Sequence, residues 1–461
     1  MLVGTDWVAE IERRIFWCDF LIVLLSQTAI ASEMVQGEIR LAAKARAQRR
    51  GLPHVLPVRV KYFGPLDYEL DSRLARIQYS RWESTTDSAR VLNELVAATG
   101  GAQLPEASAY SARPAEEKPA RPLPRIDPRT LTVEGGALPS DEALYVTRDA
   151  DDAVVNLAQR SGQTLVIKAA KQMGKSSLLV RYLGECMKQQ PAKRVAFIDL
   201  SVLSRDDLAD YSTFLTQLGD TLLRSLDLPA GDSAPIPSQV KMTWFVEDRV
   251  LRPAGGRVVF AFDAVDRVLG RPYQSDFFTM LRSWHNNRAL RTTWRQVDLA
   301  LVISTEPYLL IDDDHRSIFN VGRTVTLGAF SLRDYQALDE ACGAGLSSEQ
   351  LEVLWKLLGG HPYLTRLAFY WLVSEDRMPY DELVAKAADE RGPFGEHLRA
   401  MLLRLHQRPA VFDGLRMLGA GNVLSDEVYH RLLAIGIVKK DGGRVTIAND
   451  LYTQFFGAVL A

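Results

Sequence analysis

Apolar positions along the chain follow two periods. Trp7, Val8, Ile11 and Ile15 recur at helical spacing, and FLIVLLS (20–26) is a continuous apolar run of strand length. Residues 32–49 predict a helix with Ser32 at the N-cap and apolar Met34, Val35, Ile39, Leu41 and Ala42. Its basic end (Lys44, Arg46, Arg49) suits the helix macrodipole. Residues 55–60 predict a strand broken by Pro57, 77–82 a weaker strand, and 88–99 a helix. The pattern then lapses over 102–139. The centre of that stretch, PAEEKPARPLPRIDP, cannot bury a core and predicts a semi-stiff spacer. Beyond it, strands are expected at 164–169, 194–201, 257–263, 298–305 and 325–327, with helices at 151–161, 210–226 and 238–251. Strands alternating with helices in both regions predict parallel sheets covered on both faces, an α/β class. Four helices follow at 332–344, 348–358, 363–375 and 380–388. Residues 396–418 continue helical with a break at Pro409, 426–435 is a helix, and GIVKKDGGRVTI is a hairpin around Asp441-Gly442-Gly443. Helix, helix, hairpin is a winged-helix pattern, and NDLYTQFF (449–456) closes the chain.

Composition narrows this picture. At 461 residues the chain is too long for one core and suits about three domains of ~150 residues. A net charge of −2 offers no electrostatic case for nucleic acid or acidic lipid as partners. Cys18, Cys186 and Cys342 lie far apart without a CxxC, which points away from a disulfide framework or a zinc site. Early acids (Asp6, Glu10, Glu12) exclude a signal-peptide layout, and no apolar run approaches the ~18 residues of a membrane span. A cytoplasmic setting without membrane contact is the expectation.

Candidate chemistry gathers in TLVIKAAKQMGKSSLLVRY (164–182). A buried strand, a turn ending in Gly174-Lys175-Ser176, and a helix with Leu178, Leu179 and Tyr182 on one side form the context in which a P-loop string has a mechanism. Ala170, Lys171, Gln172, Met173, Gly174, Lys175, Ser176 and Ser177 are the expected phosphate-binding turn, with backbone N–H groups on phosphate oxygens. Lys175 would reach the β- and γ-phosphates, and the Ser176 hydroxyl would ligate Mg²⁺. Ala169 stands where GxxxxGKS/T has its first glycine. Asp263, at the end of RVVFAFD, is the second metal candidate, through the ion's water shell. A hydrolysing site of this kind usually carries glutamate next, where this chain has Ala264, and Asp266 reads as too far along to replace it. Without a general base hydrolysis slows by about 10²–10⁴-fold, so ATP or ADP with Mg²⁺ is expected to bind and turn over slowly or not at all. A natural loss and an engineered trap both account for Ala264. Ser304 and Thr305 end the next strand, either sensing the γ-phosphate or capping the strand. Arg282, Arg288 and Arg291 supply either an arginine finger or a solvated face.

The N-terminal order of helix, CDFLIVLLS, SEMVQGEIRLA and VLPVRV resembles the second half of a TIR domain, a flavodoxin-like fold. By that resemblance Glu38 falls on the glutamate essential in TIR domains that cleave NAD. A carboxylate there can hold ribose hydroxyls and stabilise an oxocarbenium-like state as nicotinamide leaves. The family's opening strand, helix and loop have no counterpart after Met1, and a start upstream and a remnant module both stay open.

Further along, GGALPSDEALYVTR, KQMGKSSLLVRY, FAFDAVDRVL, QSDFFTMLRSWHNNRA, STEPYLLI, SIFNVGRTVTL and GGHPYLTRL resemble, in order, blocks of the AAA-like ATPase domain of STAND-class signalling NTPases, over 135–370. The resemblance places Tyr145, Arg148, His361 and Pro362 near the adenine. The expected domains are a TIR module at 1–100 lacking its first strand and loop, a linker at 101–139, a P-loop nucleotide-binding sheet at 140–330, a helical lid at 331–392 and a winged helix at 393–461. It implies an ATP-binding switch that self-associates to bring TIR modules together, with other TIR or sensor proteins as partners and NAD⁺ as a possible substrate, in bacterial anti-phage defence. A non-enzymatic scaffold is the first rival. A winged-helix DNA-binding regulator is the second, weakened by Asp426 and Glu427 on its recognition helix.

Overall fold

The computed structural model describes residues 7–99, 121–229, 234–304 and 318–460, short breaks within these ranges apart. The chain divides into two compact units, residues 1–118 with 440–444 and residues 119–439 with 445–461.

In the first unit α1 (Trp7–Trp17) leads into β1 (Phe20–Leu25). Then come α2 (Gln27–Ile30), α3 (Glu33–Gln48), β2 (His54–Val60), α4 (Tyr68–Leu74), β3 (Ser80–Trp82) and α5 (Ser88–Thr99). The strands pair in parallel in the order β1-β2-β3, with Phe20 opposite His54 and Val58 opposite Ser80. Val23 and Leu25 of β1 pack with Ile15 of α1, Ile39 and Ala42 of α3, and Leu70 and Leu74 of α4. Their alternates Ile22 and Leu24 are exposed. Two local expectations change. Ser32 takes the N-cap position of α3 with extended backbone, but its side chain makes no capping hydrogen bond. Pro57 does not break β2, because β3 pairs only with Val58–Val60 and the strand needs a ladder on the β1 side alone at Pro57.

The second unit begins with α6 (Asp149–Ala158), β4 (Thr164–Lys168), α7 (Lys175–Met187), β5 (Arg194–Asp199), α8 (Tyr211–Ser225), α9 (Gln239–Phe245), α10 (Arg252–Ala254), β6 (Val258–Asp263), α11 (Gln274–Leu290), β7 (Val297–Ile303) and β8 (Arg323–Thr326). Among the described residues these strands form one five-stranded parallel sheet, ordered β5-β6-β7-β4-β8. Alternation along β4 feeds two cores. Leu165 and Ile167 pack with Leu178, Leu179 and Tyr182 of α7 and with Val154 of α6. Val166 joins Phe260, Phe262, Phe214 of α8, Met242 of α9 and Trp284 of α11 on the other face. Burial on both faces is why the strands read as continuous apolar runs.

Eight helices and a hairpin complete the described C-terminal part of the chain: α12 (Leu332–Cys342), α13 (Ser348–Leu358), α14 (Pro362–Val373), α15 (Tyr380–Ala385), α16 (Gly395–His406), α17 (Pro409–Gly419), α18 (Asp426–Ile435), β9 (Val438–Asp441), β10 (Arg444–Ile447) and α19 (Asp450–Leu460). Pro409 is the first residue of α17, where its missing N–H costs no helical bond. Ser331 and Ser347 close capping boxes with Asp334 and Gln350. Among the described residues no helix is long and apolar enough to cross a membrane.

The expected spacer is not free chain in its second half. Ile126 N–H donates to the Ala341 carbonyl at 3.1 Å, and Arg121 pairs with Asp152 at 2.6 Å. Arg366 Nε donates to the Thr132 carbonyl at 3.1 Å, and Leu131 is buried. A segment with too few apolar residues for its own core is ordered here by the Ala341 carbonyl, Asp152 and Arg366 of the second unit.

At the edge of the sheet where the strands begin, Lys193 Nζ and Asp298 Oδ2 meet at 2.7 Å with both side chains fully excluded from solvent. Asp298 Oδ1 also accepts the Gln163 N–H at 2.6 Å, and Lys193 Nζ donates to the Arg160 carbonyl. Burial pushes the Asp298 carboxyl up, and the Lys193 ammonium draws it back. Lys193→Met should therefore destabilise the unit by about 3–5 kcal/mol in chemical denaturation, since it strands a buried carboxylate. Lys193→Met combined with Asp298→Asn should recover part of the loss, because asparagine still accepts from Gln163.

Candidate functional site

The site lies where the strands end. β4 stops at Lys168, and residues 169–174 turn into α7. Gly174 is the N-cap of α7 in the left-handed region (φ 89°), and a Cβ there would stand 3.0 Å from Arg148 Nη2. The left-handed backbone favours glycine there, and a larger residue would also require the Arg148 guanidinium to give way. Ala169, at the position of the missing first glycine, is buried and donates its N–H to the Ile303 carbonyl at 3.4 Å. Gln172 also takes a positive φ of 60°, and with Gly174 it gives the turn its curl.

Lys175 is buried, and its Nζ donates to the Ala170 carbonyl at 2.7 Å. Burial pulls its ammonium down to about 8, against the opposing pull of Asp266 and then Asp263. Ser176 is half-buried on the first turn of α7. Ser177 is buried, and its Oγ accepts the Leu138 N–H at 3.0 Å, so its side chain serves the packing of the incoming chain.

The acid-bearing strand β6 does not touch β4, since β7 lies between them. Asp263, half-buried at the end of β6, accepts the Ala264 N–H on Oδ1 at 2.7 Å. Ser304, directly after β7, donates its N–H to Asp266 Oδ2 at 2.8 Å. Burial pushes the Asp266 carboxyl up, opposed by the Ser304 N–H and then by Lys175. Asp266 thus belongs to the phosphate end of the site, contrary to its sequence distance from Asp263. Thr305 lies outside the described residues.

Arg148 is drawn to the turn itself. Nη1 donates to the Met173 carbonyl at 2.9 Å and the Gly328 carbonyl at 3.3 Å, while its backbone caps α6 through Asp151. Tyr145 is buried under the Arg181 guanidinium, 4.2 Å from the ring centre. His361 is the N-cap of α14, with Nδ1 accepting the Leu364 N–H at 3.4 Å and Pro362 as first helical residue. The His361 ring also hydrogen-bonds the backbone of Lys171. Gly360, at φ 68°, packs its α-carbon onto the Phe330 carbonyl, where any Cβ would clash.

Three contributions came from residues the sequence reading had not marked. Lys171 N–H donates to the Ala434 carbonyl of α18 at 3.1 Å. Gly436, the left-handed C-cap of α18, leaves only 3.3 Å between a would-be Cβ and Ala170 Cβ. The charges of Arg404 and Arg408 act on Lys171 and add to the depression of its ammonium by burial. The glycine ending α18 was a visible signal for a helix end, though not for what that end would touch. Two of the three arginines considered for an arginine finger, Arg288 and Arg291, are engaged within the unit. Arg288 donates to Thr164 Oγ1 at 2.8 Å and the Gln163 carbonyl at 2.9 Å, at the opposite edge of the sheet. Arg291 binds Glu247 at 2.5 Å.

In the first unit Glu38 lies half-buried on α3, beside the inward-facing Ile39 and Ala42. Burial pushes its carboxyl up.

A turn with a left-handed glycine at a helix N-terminus, a buried lysine, and an acid ending the strand beyond the neighbour define a P-loop nucleoside-triphosphatase fold. The chain belongs to the AAA-like domain family, whose model matches residues 133–458, and a TIR domain model matches residues 1–96. The uncharacterized WD repeat-containing protein slr0143 of Synechocystis sp. (strain ATCC 27184 / PCC 6803 / Kazusa) is 31% identical over 252 residues. That match takes in 50% of this chain and 20% of the relative's length. Among solved structures, the Walker-type ATPase paby2304 of Pyrococcus abyssi shares 14% identity at a TM-score of 0.47, over 68% of this chain and 95% of that one. The STAND protein PH0952 of Pyrococcus horikoshii, with a tetratricopeptide repeat sensor, shares 14% identity at a TM-score of 0.32, over 68% of this chain and 42% of that one. The fold implies binding of a nucleotide with a divalent cation, and the residues present fit that group. Gly174 leaves room for close approach at the helix N-terminus, Lys175 supplies a buried cation, and Ser176 and Asp263 supply oxygen donors.

His361 and His397 are buried side by side, their ring centres 5.9 Å apart. Burial, then His397, holds His361 down to about 3. Burial, then Arg404, holds His397 down to about 4, with Nε2 2.8 Å from Tyr452 Oη. Both folded values lie below the ordinary 6.5, so the unfolded chain takes up protons first as pH falls. Their contribution to stability is whole above about pH 6.5 and is lost progressively toward pH 4. Thermal melts across this range should show the midpoint falling, with a shallower slope in His397→Gln.

Proposed function

We propose that this chain is an ATP-binding, STAND-type signalling switch that oligomerises and so brings TIR modules together. The observation that carries the reading is the hydrogen bond from Lys171 N–H to the Ala434 carbonyl. That amide belongs to the turn that would receive phosphate, and it is held by the end of α18. Phosphate and the Ala434 carbonyl then compete for one donor, so nucleotide entry goes with release of the C-terminal helices and nucleotide is coupled to conformation. Lys175 binds the β- and γ-phosphates, and Ser176 and Asp263 hold Mg²⁺. Ser304, between the two, reports the γ-phosphate, while Arg148, Tyr145 and the His361-Pro362 turn line the nucleoside side. The region from 393 onward acts as a winged helix packed within the molecule. Clustered TIR modules cleave NAD⁺ with Glu38 at the reacting ribose, in a bacterial antiviral role. The carboxyl raised by burial suits a group that meets its charge only when an oxocarbenium-like centre develops beside it.

Titration with a fluorescent ATP analogue and Mg²⁺ tests the first part. Lys175→Ala should weaken binding by roughly tenfold or more, the ~1.4 kcal/mol of one charge-assisted phosphate contact. Unchanged affinity refutes the site. NAD⁺ consumption by the oligomerised protein tests the output, and Glu38→Ala should abolish it. Ala264 favours a second reading, a scaffold in which nucleotide only fixes conformation. Equal, near-zero NAD⁺ loss in wild-type and Glu38→Ala protein would select it.

A further inference from the structure

Ala264 removes the carboxylate that usually follows the metal-binding acid, yet a carboxylate stands nearby. After β6 the chain passes through Ala264 in the left-handed region (φ 55°) and into one 3-10 turn, Val265–Val268. That reversal brings Asp266 back over the strand ends. Its Oδ2 is tied to the Ser304 N–H at 2.8 Å, which fixes the carboxylate against the end of β7. Its Oδ1 is shut off from solvent and has no hydrogen-bond partner among the described residues. An acceptor in that state is costly unless a donor reaches it. The end of β7 that holds it lies beside the end of β4, where the P-loop turn begins, so the acceptor stands at the phosphate end of the site. Lys175 and Lys171 are the cations that act on its charge. Asp263 meanwhile spends Oδ1 on the Ala264 N–H.

We propose that Asp266 is the catalytic base for nucleoside triphosphate hydrolysis in this chain, its Oδ1 accepting the proton of the attacking water in place of the carboxylate missing at Ala264. The inference rests on the triphosphate binding proposed above. The water oxygen bonds to the γ-phosphorus as the bond from that phosphorus to the β–γ bridging oxygen breaks. The nucleoside diphosphate leaves with the bridging electrons. The water proton passes to Asp266 Oδ1 and then to the released phosphate, which restores the carboxylate. Ser304 holds Oδ2 throughout, so the base is oriented by the end of the strand between the P-loop and Asp263.

Asp266→Asn is the discriminating variant, because its side-chain oxygen can still accept from Ser304 while losing basicity. The full chain with Mg²⁺ and ATP is assayed for phosphate release, and binding is followed separately with the fluorescent analogue. Release at saturating ATP should fall by about 10²-fold or more, with binding essentially unchanged. Adding Ala264→Glu to Asp266→Asn should restore turnover, which a merely structural role for Asp266 does not predict. Wild-type rates in Asp266→Asn overturn the proposal. So does a wild-type protein that binds nucleotide and never releases phosphate, and so does a parallel loss of binding and turnover. A wild-type protein that binds no nucleotide defeats the P-loop reading itself, a result the binding arm reports on its own.

Discussion

Lys193 and Asp298 are buried together at the edge of the sheet where the strands begin, and neither charge could stay there without the other. Asp298 belongs to β7, Lys193 immediately precedes β5, and Gln163, whose N–H Asp298 also accepts, immediately precedes β4. One carboxylate therefore ties the starts of three strands, two of them not neighbours in the sheet. A one-residue slip of any of these strands would turn its side chains to the other face and pull a charge from its partner. Register fixed at this edge is register fixed at the other, where Lys168 pairs with Ile303 and Asp199 with Asp263.

That far edge is where chemistry collects, because parallel strands all end there and the loops that follow are free to carry polar groups. The placement of β7 between β4 and β6 makes the site possible. It separates the turn from Asp263 by one strand and puts Ser304 in the gap. Ser304 then holds Asp266, and Asp266 acts on Lys175, so three segments distant in sequence share one electrostatic neighbourhood. From the C-terminal side, Ala434, His361, Arg404 and Arg408 all converge on Lys171. A single residue of the turn thus receives contacts and charges from several of the helices beyond the sheet.

The first unit is simpler. Its three parallel strands bury one face of β1 against α1, α3 and α4 and leave Ile22 and Leu24 of the other face exposed. Glu38 owes its raised carboxyl to α3 packing on that buried face, since its helix neighbours Ile39 and Ala42 carry the core contacts. Here geometry adds a burial state to the residue and leaves its chemistry to the TIR family it resembles.

The sequence alone determined what depends on local spacing. Continuous apolar runs gave the strands, because both faces are buried. The string ending in Gly174-Lys175-Ser176 gave the phosphate turn, because the left-handed backbone at the helix start favours glycine. The helices after 331 followed from period and capping. Tertiary structure decided whatever depends on chain reversal or on contacts across the sequence. Ala264 in the left-handed region turned Asp266 from a distant acid into a neighbour of the phosphate site, and no spacing rule encodes that reversal. Two of three similar arginines on one stretch, Arg288 and Arg291, proved to be sheet and helix anchors, since burial and partner choice are invisible in composition. Ser177 went to Leu138 while its neighbour Ser176 stayed half-exposed, because adjacent helical residues face different ways. The end of α18 met Lys171 across more than half the chain, a contact set by how whole helices pack rather than by any pattern within them.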